Sequence, residues 1–344
     1  MASALADEPM RKSRTSTPES IETDLADLWR DLARPDSPIA RAVMSNLVVV
    51  RDHLDVDGGD MDAMLGGLAI DDVVARHPSR LILLEHDAGR LNPAAPFAAA
   101  VGIVVFGAGS ARYGIEAIAV RAACGEASLP SIVRRYITGD LPTTVWWTAD
   151  VATRPPLEAL VEIGRQLVYD SRGWRDVRAA IQALAPLVAE HRIDLADVNW
   201  RRLSPVRDVL ADMAGTGTLA ALFAGADVRV VHRSDESALG WLLSGWVMAV
   251  SGQQAPAALK TEAASSDADD AVLAITIRRD NREVTATLAS RRIVIKASDS
   301  PAPPLVVGIA AETPGDAIAA ELRNLAHDVA LRDTIAALVR YFAV

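Results

Sequence analysis

From Asn46 onward, short unbroken runs of aliphatic residues alternate with segments whose apolar positions recur at helical spacing. Residues 47–50 and 81–84 are such runs, and the mainly apolar segments 101–106, 115–123, 144–147 and 167–169 read as further strands. Continuous rather than alternating apolar character predicts strands covered on both faces, as in a parallel sheet. A helix is expected through 70–75. Leu157, Leu160, Val161, Gly164 and Val168 supply a helix-period face behind Pro155 and Pro156, making one strand-helix-strand crossover. Ahead of this region, Thr17, Pro18 and Glu19 offer a cap, a first-turn proline and a first-turn acid. The helix they begin carries the stripe Ile21, Leu25, Leu28, Trp29 and Leu32, and Pro35 ends it. The N-terminal half therefore reads as an α/β domain with a mostly parallel, helix-covered sheet.

The texture changes after Trp200. Residues 206–213, 219–223 and 238–250 read as helices and 228–231 as a strand. Leu273, Ile275 and Ile277 alternate with smaller positions, Asp280 and Asn281 supply a turn, and Val284, Ala286 and Leu288 alternate again, which is a hairpin signature. Runs at 293–295 and 305–309 extend it into an antiparallel meander, and helices near 316–330 and 334–342 close the chain. This predicts an α+β C-terminal domain. Ala, Ser, Gln and Asp crowd 251–270, marking a long exposed loop. The expected organisation is a flexible tail over 1–20, an N-terminal domain over 21–200 whose boundary can fall as early as 156–166, and a C-terminal domain over 201–344.

Length and composition narrow the class. At roughly 150 residues per domain, 344 residues also suggest two domains. Half the residues are hydrophobic, which is enough apolar surface to fold without staples. A net charge of −10 offers no electrostatic footprint for DNA or RNA, so no nucleic-acid partner is expected. The single cysteine, Cys124, excludes an intrachain disulfide and an all-cysteine zinc site and matches a reducing compartment. The first 20 residues mix Asp7, Glu8, Arg11, Lys12 and Arg14 without an apolar core, unlike an export signal. Prolines and glycines interrupt the uncharged stretch 91–111, and the apolar part of 237–259 is about 13 residues where a bilayer needs roughly 20. A cytoplasmic chain with no membrane partner is expected.

No familiar chemistry is spelled out. Gly107 and Gly109 follow a strand, but Arg112 stands where a dinucleotide loop needs its third glycine and another strand follows, so a hairpin turn is the better reading. G-T-G-T-L-A at 215–220 follows a helix and reads as a helix-helix joint. Asp55, Asp57, Asp60 and Asp62 surround Gly58 and Gly59 in an order that inverts the calcium-loop template, which leaves an acidic surface turn. The six histidines show neither H-x-x-x-H nor H-E-x-x-H spacing, and there is no Walker loop or G-x-S-x-G elbow. No metal, cofactor or catalytic constellation is expected. What remains are clusters at strand ends and joints: Arg76, His77 and Arg80 before a buried strand, Trp146 and Trp147 closing another, and Trp200, Arg202 and Arg207 around a helix start. Tryptophan packs cores and anchors interfaces, while these arginines either pair with local acids or bind an anionic ligand or acidic partner surface. Arg76, His77, Arg80, Trp146, Trp147, Trp200, Arg202 and Arg207 are the candidate contacts.

Eight segments occur in a recognisable order: N-L-V-V-V at 46–50, R-H-P-S-R at 76–80, C-G-E at 124–126, L-P-S at 129–131, D-L-P at 140–142 running into V-W-W at 145–147, V-Y-D-S at 168–171, A-D-V-N-W-R-R-L-S-P-V-R at 196–207 and A-L-G-W-L-L-S-G-W at 238–246. Over Asn46 to Met248 the chain resembles the glucose-6-phosphate dehydrogenase assembly protein family, OpcA. It departs at Arg134, Arg135 and Tyr136, where a mostly apolar helix is expected of relatives, and the resemblance covers 251–270 and the tail to Val344 poorly. The resemblance implies a non-catalytic cytoplasmic protein and allosteric activator that binds glucose-6-phosphate dehydrogenase, favours its active oligomeric state and supports NADPH production by the oxidative pentose phosphate pathway. The residues themselves leave open a sugar-phosphate-binding enzyme or metabolite sensor of α/β fold, with Arg76, Arg80 and the loop at Gly107 as its anion pocket.

Overall fold

The computed structural model describes residues 9–33, 38–54, 56–86, 97–109, 111–153, 157–190, 193–252, 255–265, 270–298, 301–324 and 326–343. Pro35, Asp55, Pro155, Pro156, residues 1–8 of the expected tail, 91–96 of the first uncharged stretch, and 253–254 and 266–269 of the expected loop lie outside the described residues. The chain forms two compact units. The first is Met1–Ala149, Thr153–Tyr169 and Thr313–Ala326; the second is Asp150–Ala152, Asp170–Glu312 and His327–Val344. The main division thus falls after Tyr169, and one late helix returns to the first unit.

The first unit holds β1 (Met10–Ser16), β2 (Ala40–Arg41), β3 (Ser45–Arg51), β4 (Ser79–His86), β5 (Phe97–Phe106), β6 (Tyr113–Ala122), β7 (Thr143–Trp147) and β8 (Gln166–Tyr169). They lie in the order β1-β5-β6-β4-β3-β7-β8, with β2 beside β6. The run from β6 to β8 is parallel, whereas β5 is antiparallel to both β1 and β6. Consecutive residues Leu47, Val48 and Val49, and likewise Leu81, Ile82 and Leu83, are buried, so both faces of these strands are covered, as their unbroken apolar runs require. The helix Ile21–Leu32 packs on β5 with Ile21, Leu25 and Leu28 inward. Gly107, at φ 83°, turns β5 into β6, the hairpin expected there.

Part of the expected flexible tail is corrected: residues 10–16 are a strand. β1 lies at the sheet edge and carries almost no apolar signal, because edge strands bear charge and take their register from a neighbour. Its Arg11 pairs with Asp62 and Asp71, and its Lys12 with Asp31 at 2.8 Å. Of the acids of the supposed surface turn, Asp60 caps the short helix Met61–Leu65, Asp62 pairs with the edge-strand Arg11 and Asp57 lies 3.4 Å from Arg121.

The second unit holds β9 (Asp194–Asp197), β10 (Asp227–His232), β11 (Ala258–Ala263), β12 (Ala271–Arg279), β13 (Arg282–Ala289), β14 (Arg292–Ala297) and β15 (Leu305–Gly308). Six of them form a sheet in the order β11-β10-β12-β13-β14-β15, antiparallel throughout except for β10 and β11. Asp280, at φ 55°, turns the expected hairpin, in the left-handed region that Asp tolerates better than most. The helix Ser237–Ser251 covers β10 and β11 and packs against Val329–Phe342, which in turn packs against Val177–Glu190. The fold is therefore an α/β domain with a mostly parallel sheet followed by an α+β domain with an antiparallel meander. Three details differ from expectation: β11 lies within the supposed loop 251–270, the helix Val177–Glu190 is additional, and the helix expected near 316–330 is Pro314–Arg323, after which Asp328 caps a new one. Among the described residues, no helix is long and apolar enough to cross a membrane.

Candidate functional site

Arg76 ends the helix Ile70–Arg76, where a cation suits the helix dipole. It reaches Asp72 one turn back at 3.4 Å and Asp316 of the helix Pro314–Arg323 at 2.5 Å. Those helices pack closely at Gly315, where a Cβ would lie 2.5 Å from that of Asp72. Arg76 is therefore a tie between two helices 240 residues apart in sequence.

His77 and Arg80 are buried. His77 Nε2 lies 3.1 Å from Ser45 Oγ, which lies 2.9 Å from Ser79 Oγ. Burial, with the charge of Arg323, holds the imidazole below its ordinary pKa and so neutral. Arg80 pairs with Glu22 and, at 3.2 Å, with Glu116. Glu116, itself buried on β6, also accepts from Trp29 Nε1 at 2.8 Å and Arg41 Nη2 at 2.7 Å. Three donors from three elements satisfy this buried carboxylate, which buried charge requires. Trp146 and Trp147 are 5% and 1% exposed, paired in register with Val49 and Val50. The two rings are core residues.

In the second unit Trp200, 2% exposed, sits in the helix Val198–Arg201. Its indole N–H donates to Asp328 Oδ2 at 2.8 Å, while Asp328 Oδ1 accepts from the Leu331 N–H and caps the helix Val329–Phe342. The Arg207 guanidinium lies 3.9 Å over the Trp200 ring. Burial lowers the Arg207 pKa, opposed by Asp328 and Asp208. Arg202 grips buried Glu236 with both terminal nitrogens at 2.7 Å and also donates to Asn199 Oδ1 at 2.8 Å. Arg201 pairs with Glu312 at 2.8 Å. Arg201 and Arg202 thus pair with acids, while Arg207 stacks on Trp200.

Asp197, which residue-type reasoning passed over, is the centre of this network. It is 1% exposed; its Oδ1 accepts from the N–H of Ser171 at 3.1 Å and of Asn199 at 2.9 Å, and Asn199 Nδ2 donates to Ser171 Oγ at 3.0 Å. Burial pushes its pKa up to about 7 against the hydrogen bonds that favour the anion. The network links V-Y-D-S at 168–171 to A-D-V-N-W-R-R at 196–202, two segments whose order carries the resemblance. The structure thus brings Trp200, Arg202 and Arg207 onto one cluster and Arg76, His77 and Arg80 onto another stretch of chain. Among the described residues, no group of three or more His, Cys, Asp or Glu side chains is placed to hold a metal ion.

Two family models match, described as the glucose-6-phosphate dehydrogenase subunit N-terminal domain over residues 70–186 and C-terminal domain over residues 193–335. No curated protein matches the sequence. Among solved structures the chain is similar to the transcriptional regulator Gal80p from Kluyveromyces lactis, at 7% identity and a TM-score of 0.47 over 91% of this chain and 90% of that one. It is also similar to UDP-N-acetylglucosamine 3-dehydrogenase GnnA from Acidithiobacillus ferrooxidans, at 13% identity and a TM-score of 0.39 over 87% of this chain and 97% of that one. At such identities and scores neither says anything about activity.

Proposed function

Because the chain belongs to the glucose-6-phosphate dehydrogenase assembly family, OpcA, we propose that it binds glucose-6-phosphate dehydrogenase and favours its active oligomeric state without chemistry of its own. The observation that carries this reading is the match of both family models, in order, across 70–186 and 193–335. The site geometry supports it: the arginines that could have formed an anion pocket are held in ion pairs and a ring stack, as parts of a scaffold. Such a factor works only through differential affinity, holding one conformation or assembly of the enzyme more tightly than the others. A preference of about 1.4 kcal/mol shifts the equilibrium tenfold. The outcome in the cell is greater NADPH production through the oxidative pentose phosphate pathway.

The test is dehydrogenase activity at low enzyme concentration with and without this protein, alongside mass photometry of the mixture. Activity and particle mass are expected to rise together. If neither moves, the reading fails. Thermal-shift titration with glucose 6-phosphate, 6-phosphogluconate and NADP addresses the sugar-phosphate alternative, which alone requires stabilisation of the isolated chain.

A further inference from the structure

The sheet of the second unit has one covered and one open face. Val228, Val230, Leu273, Ile275, Ile277, Ala286, Leu288 and Ile293 point to the covered face and are buried. The alternate positions form two rows that register pairing runs straight across the strands. One is Lys260, Arg229, Thr276, Thr285 and Lys296; the other is Glu262, Val231, Ala274, Thr287, Val294 and Val306. Each of these side chains is exposed or half-buried. A solvated sheet face is ordinary, but the middle of this one is not ordinary in content: from Val231 to Val294 it is only Val, Ala and Thr, short side chains that lose little entropy when covered.

The charges frame this middle. The chain has three lysines, and two of them, Lys260 and Lys296, stand at opposite sides of the same row. Four strand spacings of about 4.8 Å put them roughly 19 Å apart. Neither has an acidic partner among the described residues. The carboxylates on the face are already compensated there: Glu262 pairs with Arg229, Glu283 with Arg278 at 2.5 Å, and Asp227 also lies beside Arg278. The same face of a second copy would therefore bring no free carboxylate to the lysines. Six strands of four to nine residues present roughly 600 Å², at the lower end of the roughly 600–1,000 Å² per partner of a stable interface.

We infer that this open face is the docking surface for a protein partner, covering a flat, acidic surface whose carboxylates meet Lys260 and Lys296 at either side of an uncharged Val-Ala-Thr centre. The inference rests on the reading that the protein works by gripping the dehydrogenase, and it assigns that grip to the second sheet. Charge at the rim steers and registers the encounter, and the short side chains allow close sheet packing.

The test measures binding of the full chain to the dehydrogenase for the wild type, K260E/K296E and T285R. Wild-type affinity is expected to fall with rising salt. The charge reversal is expected to weaken binding at least about tenfold and T285R to do the same by its bulk, while the thermal melt of K260E/K296E, altered only at exposed positions, stays that of the wild type. If the wild type binds and K260E/K296E binds within about twofold of it, the face is not the docking surface and the assembly reading stands. If T285R instead breaks a wild-type self-dimer without affecting dehydrogenase binding, the face belongs to a second copy and the inference is overturned. If the wild type does not bind at all, the assembly reading falls and takes this inference with it.

Discussion

The guanidinium of Arg207 lies face-on over the indole of Trp200 at 3.9 Å, and the same indole donates to Asp328. One tryptophan therefore joins the helix Ser204–Ala214 to the cap of the helix Val329–Phe342. A desolvated cation over an aromatic face contributes about 1–2 kcal/mol. R207A is expected to lower stability by about that much in urea titration, and an unchanged midpoint would show the stack to be energetically idle.

Arg202 and Glu236 form a bidentate pair in which the acid is the buried member. R202A leaves the buried carboxylate with only Arg233 at 3.6 Å, and a loss of about 2–3 kcal/mol is expected, below the full cost for a buried pair because Arg233 remains and the Arg202 side chain keeps 30% exposure. R202A/E236Q is expected to recover part of it. R202K loses the fork geometry and is expected to behave more like the alanine variant. Equal stabilities for R202A and the double variant would contradict this account.

Asp197 gives stability a pH dependence of unusual sign. Its folded pKa of about 7 lies above the ordinary 3.8, so between these values the folded chain holds a proton that the unfolded chain has released. Its contribution is largest in acid, falls as pH rises through that window and is level above it. D197N removes the term, so the wild type minus D197N difference in urea midpoint is expected to decline from about pH 4 to about pH 7. A difference flat across the window would place the proton elsewhere.

His77 acts in the opposite direction. Its pKa is lowered from 6.5 by burial and by Arg323, so the folded chain binds this proton less readily than the unfolded chain. Its contribution is complete above 6.5 and is lost as the pH falls below it. H77N is expected to flatten the acid side of the thermal stability profile. An acid limb identical in the two proteins would exclude His77 as its source.

At Gly315 the helix Pro314–Arg323 meets Asp72 with no room for a methyl group. Alanine normally gains up to about 1 kcal/mol over glycine inside a helix. Here overpacking is expected to outweigh that gain, for a net loss of about 1–2 kcal/mol in G315A, together with a weaker Arg76–Asp316 tie. A stabilised G315A would mean the helices separate at no cost.

The sequence alone determined the elements whose local signal agrees with their final surroundings. β3 and β4 carry unbroken aliphatic runs and β7 the apolar run V-W-W because both faces of each strand are covered, and the hairpin of β12 and β13 alternates because one face is open. The order of short segments was likewise enough to suggest the family, since order along the chain needs no coordinates. Tertiary structure decided what depends on a distant partner. β1 and β11 are edge strands with little apolar signal, and each exists because a neighbour supplies its hydrogen bonds. The candidate residues were chosen by type, yet Arg76 found its acid 240 positions away and Trp200 found Asp328 128 positions away, so their burial and pairing were invisible locally. Asp197 was passed over for the same reason: a lone aspartate in a line of sequence looks solvated, and only packing withdraws the water that sets its charge.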